Sequence, residues 1–278
     1  MQNRYLTALW GLSLMLLAMT GSQAQTVDTA KAGRDIAAQW QNSVINLSVV
    51  VNVKMTMMGK SETKENKSES IASIIDPSGL TVTSLSMLTG GEDLFSDSSE
   101  AASGGGEGDK FTTSTDIKSV KMILADGKEL PAQVVFRDKD LDLAFIRPLK
   151  KPDAPLPALD LAQAGDPQLL ERILCLTRLG PVADRGILIS FGEINAVITK
   201  PRKFYVSISA EDIGAPIFAL DGKLVGIFAL RKQPGGARSS GISGSPVIPI
   251  IVPTSTIAAL AKQAPEVEVK TPETVKKP

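Results

Sequence analysis

Histidine is missing altogether: none of the 278 residues is one. Imidazole is the usual general base near neutral pH and the commonest protein ligand for metals, so every mechanism that needs it is excluded. Cysteine is nearly as scarce. The single Cys175 has no partner for an intrachain disulfide. In the apolar run Ile173-Leu174-Cys175-Leu176 it reads as a small buried hydrophobe, with a reactive thiol as the other reading. A surplus of either charge is absent too. Thirty basic and thirty acidic residues cancel, and the basic ones are scattered, which leaves no electrostatic footprint for nucleic acid or an anionic membrane. No cofactor and no metal site is expected. What the chain does have is apolar material: 43% of it is hydrophobic against 22% charged, ample for a buried core.

The first residues carry a targeting pattern. Arg4 supplies positive charge, Leu6 to Met19 form an apolar stretch, and Ser22-Gln23-Ala24 places small residues at a cleavage position, so residues 1–24 read as a signal peptide. The stretch is shorter than the roughly 20 residues of a spanning helix. The expectation is export, to the periplasm or beyond, with no membrane attachment after cleavage.

Residues 25–42 are mixed and Ala-rich, suited to a short helix, and from Ser43 the sequence turns β-branched. The polar stretch GKSETKENKSES, 59–70, reads as an exposed hairpin tip. Asp76-Pro77-Ser78-Gly79 is a turn, and a strand follows over Leu80–Leu85. Residues 89–116 form an acidic, Gly/Ser-rich insertion. Its carboxylates read as solvated; the alternative, a held cation, finds no EF-hand spacing to support it. Prolines 152, 155 and 157 mark a linker between a first unit, 43–150, and a second, 151–263. Short strands separated by polar turns argue for antiparallel barrels or a sandwich. Ser255–Gln263 is predicted helical with Thr254 as N-cap, and 264–278 reads as a disordered tail.

Five segments in order then resemble the HtrA/Deg branch of the trypsin-like serine proteases, from Ser43 to Gln263. SVINL resembles the opening strand. IIDPSGLTVTSLSML is similar to the segment leading to the catalytic histidine, and LADGKELPAQVVFRDKDLDLAFIRP to the one holding the aspartate. AEDIGAPIFALDGKLVGIFAL resembles the nucleophile loop and following hairpin, and IPIIVPTSTIAALAKQ the closing helix. The resemblance implies an all-β fold of two antiparallel barrels with a C-terminal helix. Family members commonly continue into a PDZ module; here APEVEVKTPETVKKP stands after the helix, so that route to a partner is not expected.

Carried over residue by residue, the resemblance puts Ser86 in the place of the histidine, keeps the aspartate as Asp142, and puts Ile213 in the place of the nucleophilic serine. Glu211 stands at the oxyanion-hole glycine, where its Cβ restricts the backbone. No triad is intact. Losing any triad member leaves roughly 10³- to 10⁴-fold acceleration over water, which itself needs an intact oxyanion hole. Asp142 reads either as a solvated turn residue or as a relic of the triad bonded to nearby donors, Ser86 first among them. A Ser/Lys dyad would need a buried lysine, whereas Lys128, Lys139 and Lys223 fall in polar turns.

The resemblance also places Ile227-Phe228-Ala229-Leu230 on the strand that pairs with substrate backbone. Main-chain pairing needs no catalyst, so a non-cutting binder of peptide or protein is the leading functional expectation. A structural or assembly subunit, with trimers formed through Thr29–Gln41, is the alternative. An active endopeptidase with a non-standard site comes third.

Overall fold

The computed structural model describes residues 28–57, 59–91, 112–208, 212–232 and 247–267. The predicted N-terminal helix forms as α1 (Thr29–Trp40), whose Asp28 cap accepts the Lys31 amide at 3.0 Å. The β-branched run then becomes β1 (Val44–Met57), followed by β2 (Lys60–Ile74), β3 (Thr81–Ser84), a short helix α2 (Leu85–Thr89), β4 (Thr112–Ile123), β5 (Glu129–Asp138) and β6 (Leu143–Pro148). These strands close into a barrel in the order β1-β2-β3-β6-β5-β4. Period-two alternation along β1 sends Ile45, Leu47 and Val49 inward, onto Ala72, Ile74, Met122 and Ile146. Each large aliphatic buried this way contributes about 1.5–3 kcal/mol.

The proline-marked linker leads to the second unit: β7 (Arg172–Arg178), β8 (Ile187–Glu193), β9 (Ala196–Ile198), β10 (Phe204–Val206), β11 (Pro216–Ala219), β12 (Leu224–Lys232) and β13 (Val247–Pro253), then helix α3 (Thr254–Ala261). It is a seven-stranded antiparallel sheet in the order β8-β7-β11-β12-β13-β10-β9. The expected all-β, two-barrel architecture is therefore present as a closed barrel and a half-barrel. Leu80, Val82, Leu143 and Phe145 of the first pack with Ile227, Ala229, Ile250 and Val252 of the second in one shared apolar cluster. That seam joins the two units.

Several local expectations need correction. The polar stretch 59–70 is not a loop but most of β2, paired with β1 from Val44↔Ser73 out to Met57↔Lys60. β4 flanks the other side of β1 as far as Thr56↔Thr112, so the projecting arm is held by main-chain pairing, and its Lys/Glu side chains suit an open edge. Of the predicted insertion, 92–111 lies outside the described residues, while 112–116 already belongs to β4. Thr254 does not cap α3: its hydroxyl donates to Leu224 O at 2.6 Å, and Pro253 occupies the cap position. The predicted tail begins docked, with Ala264 buried and Arg147 donating to Pro265 O at 3.0 Å. The rest of the tail, 268–278, and the predicted signal segment, 1–24, lie outside the described residues.

The segment suggested for trimer contacts uses its apolar face at home. Gly33 of α1 lies against Phe191 and Leu174, Ile36 is buried in the second unit's core, and the Trp40 ring stacks on Phe218 with centroids 6.5 Å apart.

Candidate functional site in the inter-barrel cleft

Asp142 sits in the turn before β6 with φ 55°, a left-handed conformation that aspartate tolerates better than most residues. There its backbone carbonyl accepts the Leu85 amide at 2.9 Å, which extends the β3–β6 ladder to the start of α2. The carboxylate consequently turns inward and is 3% exposed. Its Oδ1 accepts the Ser86 amide at 2.7 Å. Its Oδ2 accepts the Ser84 hydroxyl at 2.5 Å, the Ser86 hydroxyl at 3.0 Å and the Leu230 amide at 3.0 Å. Asp142 is buried and the predicted donation from Ser86 is present, so the solvated reading of Asp142 does not hold.

The carboxylate is well supplied with donors, one on Oδ1 and three on Oδ2. Burial pushes the Asp142 carboxyl above its ordinary value, and the bonds from Ser84, Leu230 and Ser86 pull it back. The Ser84 and Ser86 hydroxyl oxygens also lie 2.9 Å apart, so two hydroxyl protons are shared among three contacts. Both hydroxyls thus face a carboxylate and one another.

Across the cleft, Gly214 holds the loop that precedes β11. Its φ is +94°, and a Cβ added there would meet Ile71 O and Thr83 Oγ1, each at 2.7 Å. Only glycine lets this loop lie so close to β2 and β3. Its amide donates to Phe228 O at 2.7 Å, and Phe228 in turn donates to Ala215 O at 2.9 Å. Ile213, the residue before, is half-buried and packs on the second unit's core. Glu211 lies outside the described residues.

The expected peptide-pairing strand is mostly engaged already. In an antiparallel sheet, successive residues direct their main-chain groups to opposite sides. Phe228 is taken by Gly214 and Ala215, so Ile227 and Ala229 point the other way, to their β13 partners Val252 and Ile250. The Leu230 amide is held by Asp142. What remains toward the cleft is the Leu230 carbonyl and the chain beyond it, where pairing with β11 has ended among the described residues. The main-chain groups of β12 left open on that side therefore start at the Leu230 carbonyl, not at Ile227.

Sequence reasoning gave no role to Ser84 and none to the Leu230 amide as the partner of Asp142. Ser84 stands two residues before Ser86, a spacing that was visible; a main-chain amide has no residue-type signature. The Cys175 thiol is buried in β7, as its apolar setting implies.

No curated protein matches the chain. The model of the trypsin-like peptidase domain matches residues 72–227, a span that runs from the end of β2 through Asp142 and Gly214 into β12. With more than half of its length matched, this chain belongs to the trypsin-like peptidase domain family.

Proposed function

We propose that the protein is an exported, HtrA/Deg-like member of its family that has lost catalysis and holds peptide or unfolded protein in the inter-barrel cleft. The observation that carries this reading is the closed shell around Asp142. The atoms that would orient an imidazole instead accept Ser84, Ser86 and Leu230, and the chain contains no histidine to displace them. Ile213 adds an apolar side chain, without a nucleophilic atom, at the position where the resemblance expects the serine. Binding survives such losses because an extended segment needs only main-chain partners, beginning here at the Leu230 carbonyl.

The test is titration of fluorescently labelled unfolded casein with the purified chain, followed by lysine cross-linking and mass spectrometry. The expected result is a saturable rise in anisotropy, intact casein, and cross-links concentrated at Lys232 and Lys203. Absence of binding, or cross-links confined to other surfaces, would overturn the cleft as the binding site.

The second reading, an assembly subunit, is favoured by one feature: Met55 and Met57 near the tip of the β1–β2 arm are 44% and 58% exposed. Cross-links mapping to Lys54 and Lys60, between copies and without added casein, would support it.

A further inference from the structure

Three arginines that turn inward are each held by acceptors of the protein itself. Arg147 donates to Pro265 O and Ser78 Oγ, each at 3.0 Å, and pairs with Glu266 at 3.1 Å. Arg178 donates to Val44 O, Gln41 O and Arg185 O at 2.6, 2.7 and 3.0 Å. Arg185 grips Glu69 with two nitrogens, at 2.7 and 3.1 Å. Arg231 is different. Its guanidinium lies over the Phe204 ring, 5.0 Å from the centroid, and its Nη1 is buried with no hydrogen-bond partner.

An unsatisfied buried donor on a cation is costly, and native structures rarely retain one without a use. The ring supports the guanidinium from one face, and Nη1, buried without a partner, is the donor that still needs an acceptor. A planar carboxylate fits that edge with two parallel hydrogen bonds.

The location gives the vacancy a meaning. Along β12, Ile227, Ala229 and Arg231 share one face; the first two are buried in the seam between the barrels, and Arg231 stands where that face reaches the rim. It also directly follows Leu230, whose amide is tied to Asp142 and whose carbonyl starts the docking edge. We propose that Arg231 is the specificity residue of the cleft, receiving an Asp or Glu side chain of the extended segment held there. The inference rests on the peptide-holding reading above and names the chemistry of its ligand.

The test is a positional-scanning library of short, C-terminally amidated peptides captured by the full purified chain, so that side chains are the main source of carboxylate. Wild type should enrich Glu or Asp over Gln or Asn at one position by about tenfold, the size of one charge-assisted bond. Arg231→Gln should flatten that preference, and Arg231→Lys should keep part of it. Capture without acidic enrichment on wild type, a readout that needs no variant, would overturn the role of Arg231 and leave peptide holding intact. The same enrichment in Arg231→Gln would do likewise. Capture of no peptide at all would overturn both.

Discussion

On the first-barrel side of the seam, the Ser84 and Ser86 hydroxyls and the Ser86 amide converge on one carboxylate, joined by the Leu230 amide from the second barrel. On the second-barrel side the wall is apolar at Ile213, committed to main-chain bonding at Phe228, and then carries a guanidinium with a buried nitrogen left over. The carboxylate on one side is answered from both barrels, and the guanidinium on the other keeps a nitrogen unanswered. The contrast separates two roles: groups that answer one another hold the seam, whereas a buried donor without a partner is the place to test for a ligand.

The largest expected effect tests the seam between the walls. Gly214→Ala places a Cβ 2.7 Å from Ile71 O and Thr83 Oγ1 at φ +94°. Backbone strain and overpacking together should destabilise by about 3 kcal/mol or more, measured by denaturant unfolding. A loss below about 1 kcal/mol would mean that the loop yields and the two walls are not rigidly registered. Next, Asp142→Ala leaves the Ser86 and Leu230 amides without their acceptor, and should cost about 1–3 kcal/mol. A neutral result would reduce the bonds around Asp142 to a coincidence of geometry.

Ile213→Ala samples the apolar wall. Because the side chain is only half-buried, the cost should fall near 1 kcal/mol, below that of a fully buried isoleucine. A larger loss would make this wall part of the core proper.

The smallest effect is a pH dependence. Burial raises the Asp142 carboxyl above its ordinary value of 3.8, so the folded state binds that proton more tightly than the unfolded state does. Its contribution to stability is full below the ordinary value and is lost as pH rises through the raised one. Stability curves of wild type and Asp142→Asn should therefore converge or cross with rising pH in the window just above 3.8, in the direction of a wild-type loss. Parallel curves would mean that the hydrogen bonds fully offset the burial.

Much of this was legible in the residues. β-branched runs, the Asp-Pro-Ser-Gly turn and the order of the resembling segments carried the fold, and the same resemblance carried Asp142. The arm was missed because GKSETKENKSES has no apolar periodicity; it is a strand only because β1 templates it, and β1 is supported by β4 on its far side. Which main-chain groups of Ile227–Leu230 are already bonded was not legible, because strand parity, which decides the faces of Phe228 and Leu230, depends on partners distant in sequence. Arg231 could not be singled out for a similar reason: an arginine is ordinary until its neighbours fail to answer it.

The central claim is that this cleft binds without cutting. Its most direct test is incubation of the purified chain with unfolded casein and, separately, with a fluorophosphonate probe of reactive serines. The account expects no acid-soluble fragments and no labelled serine; fragment release, or a fluorophosphonate adduct on Ser84 or Ser86, would contradict it.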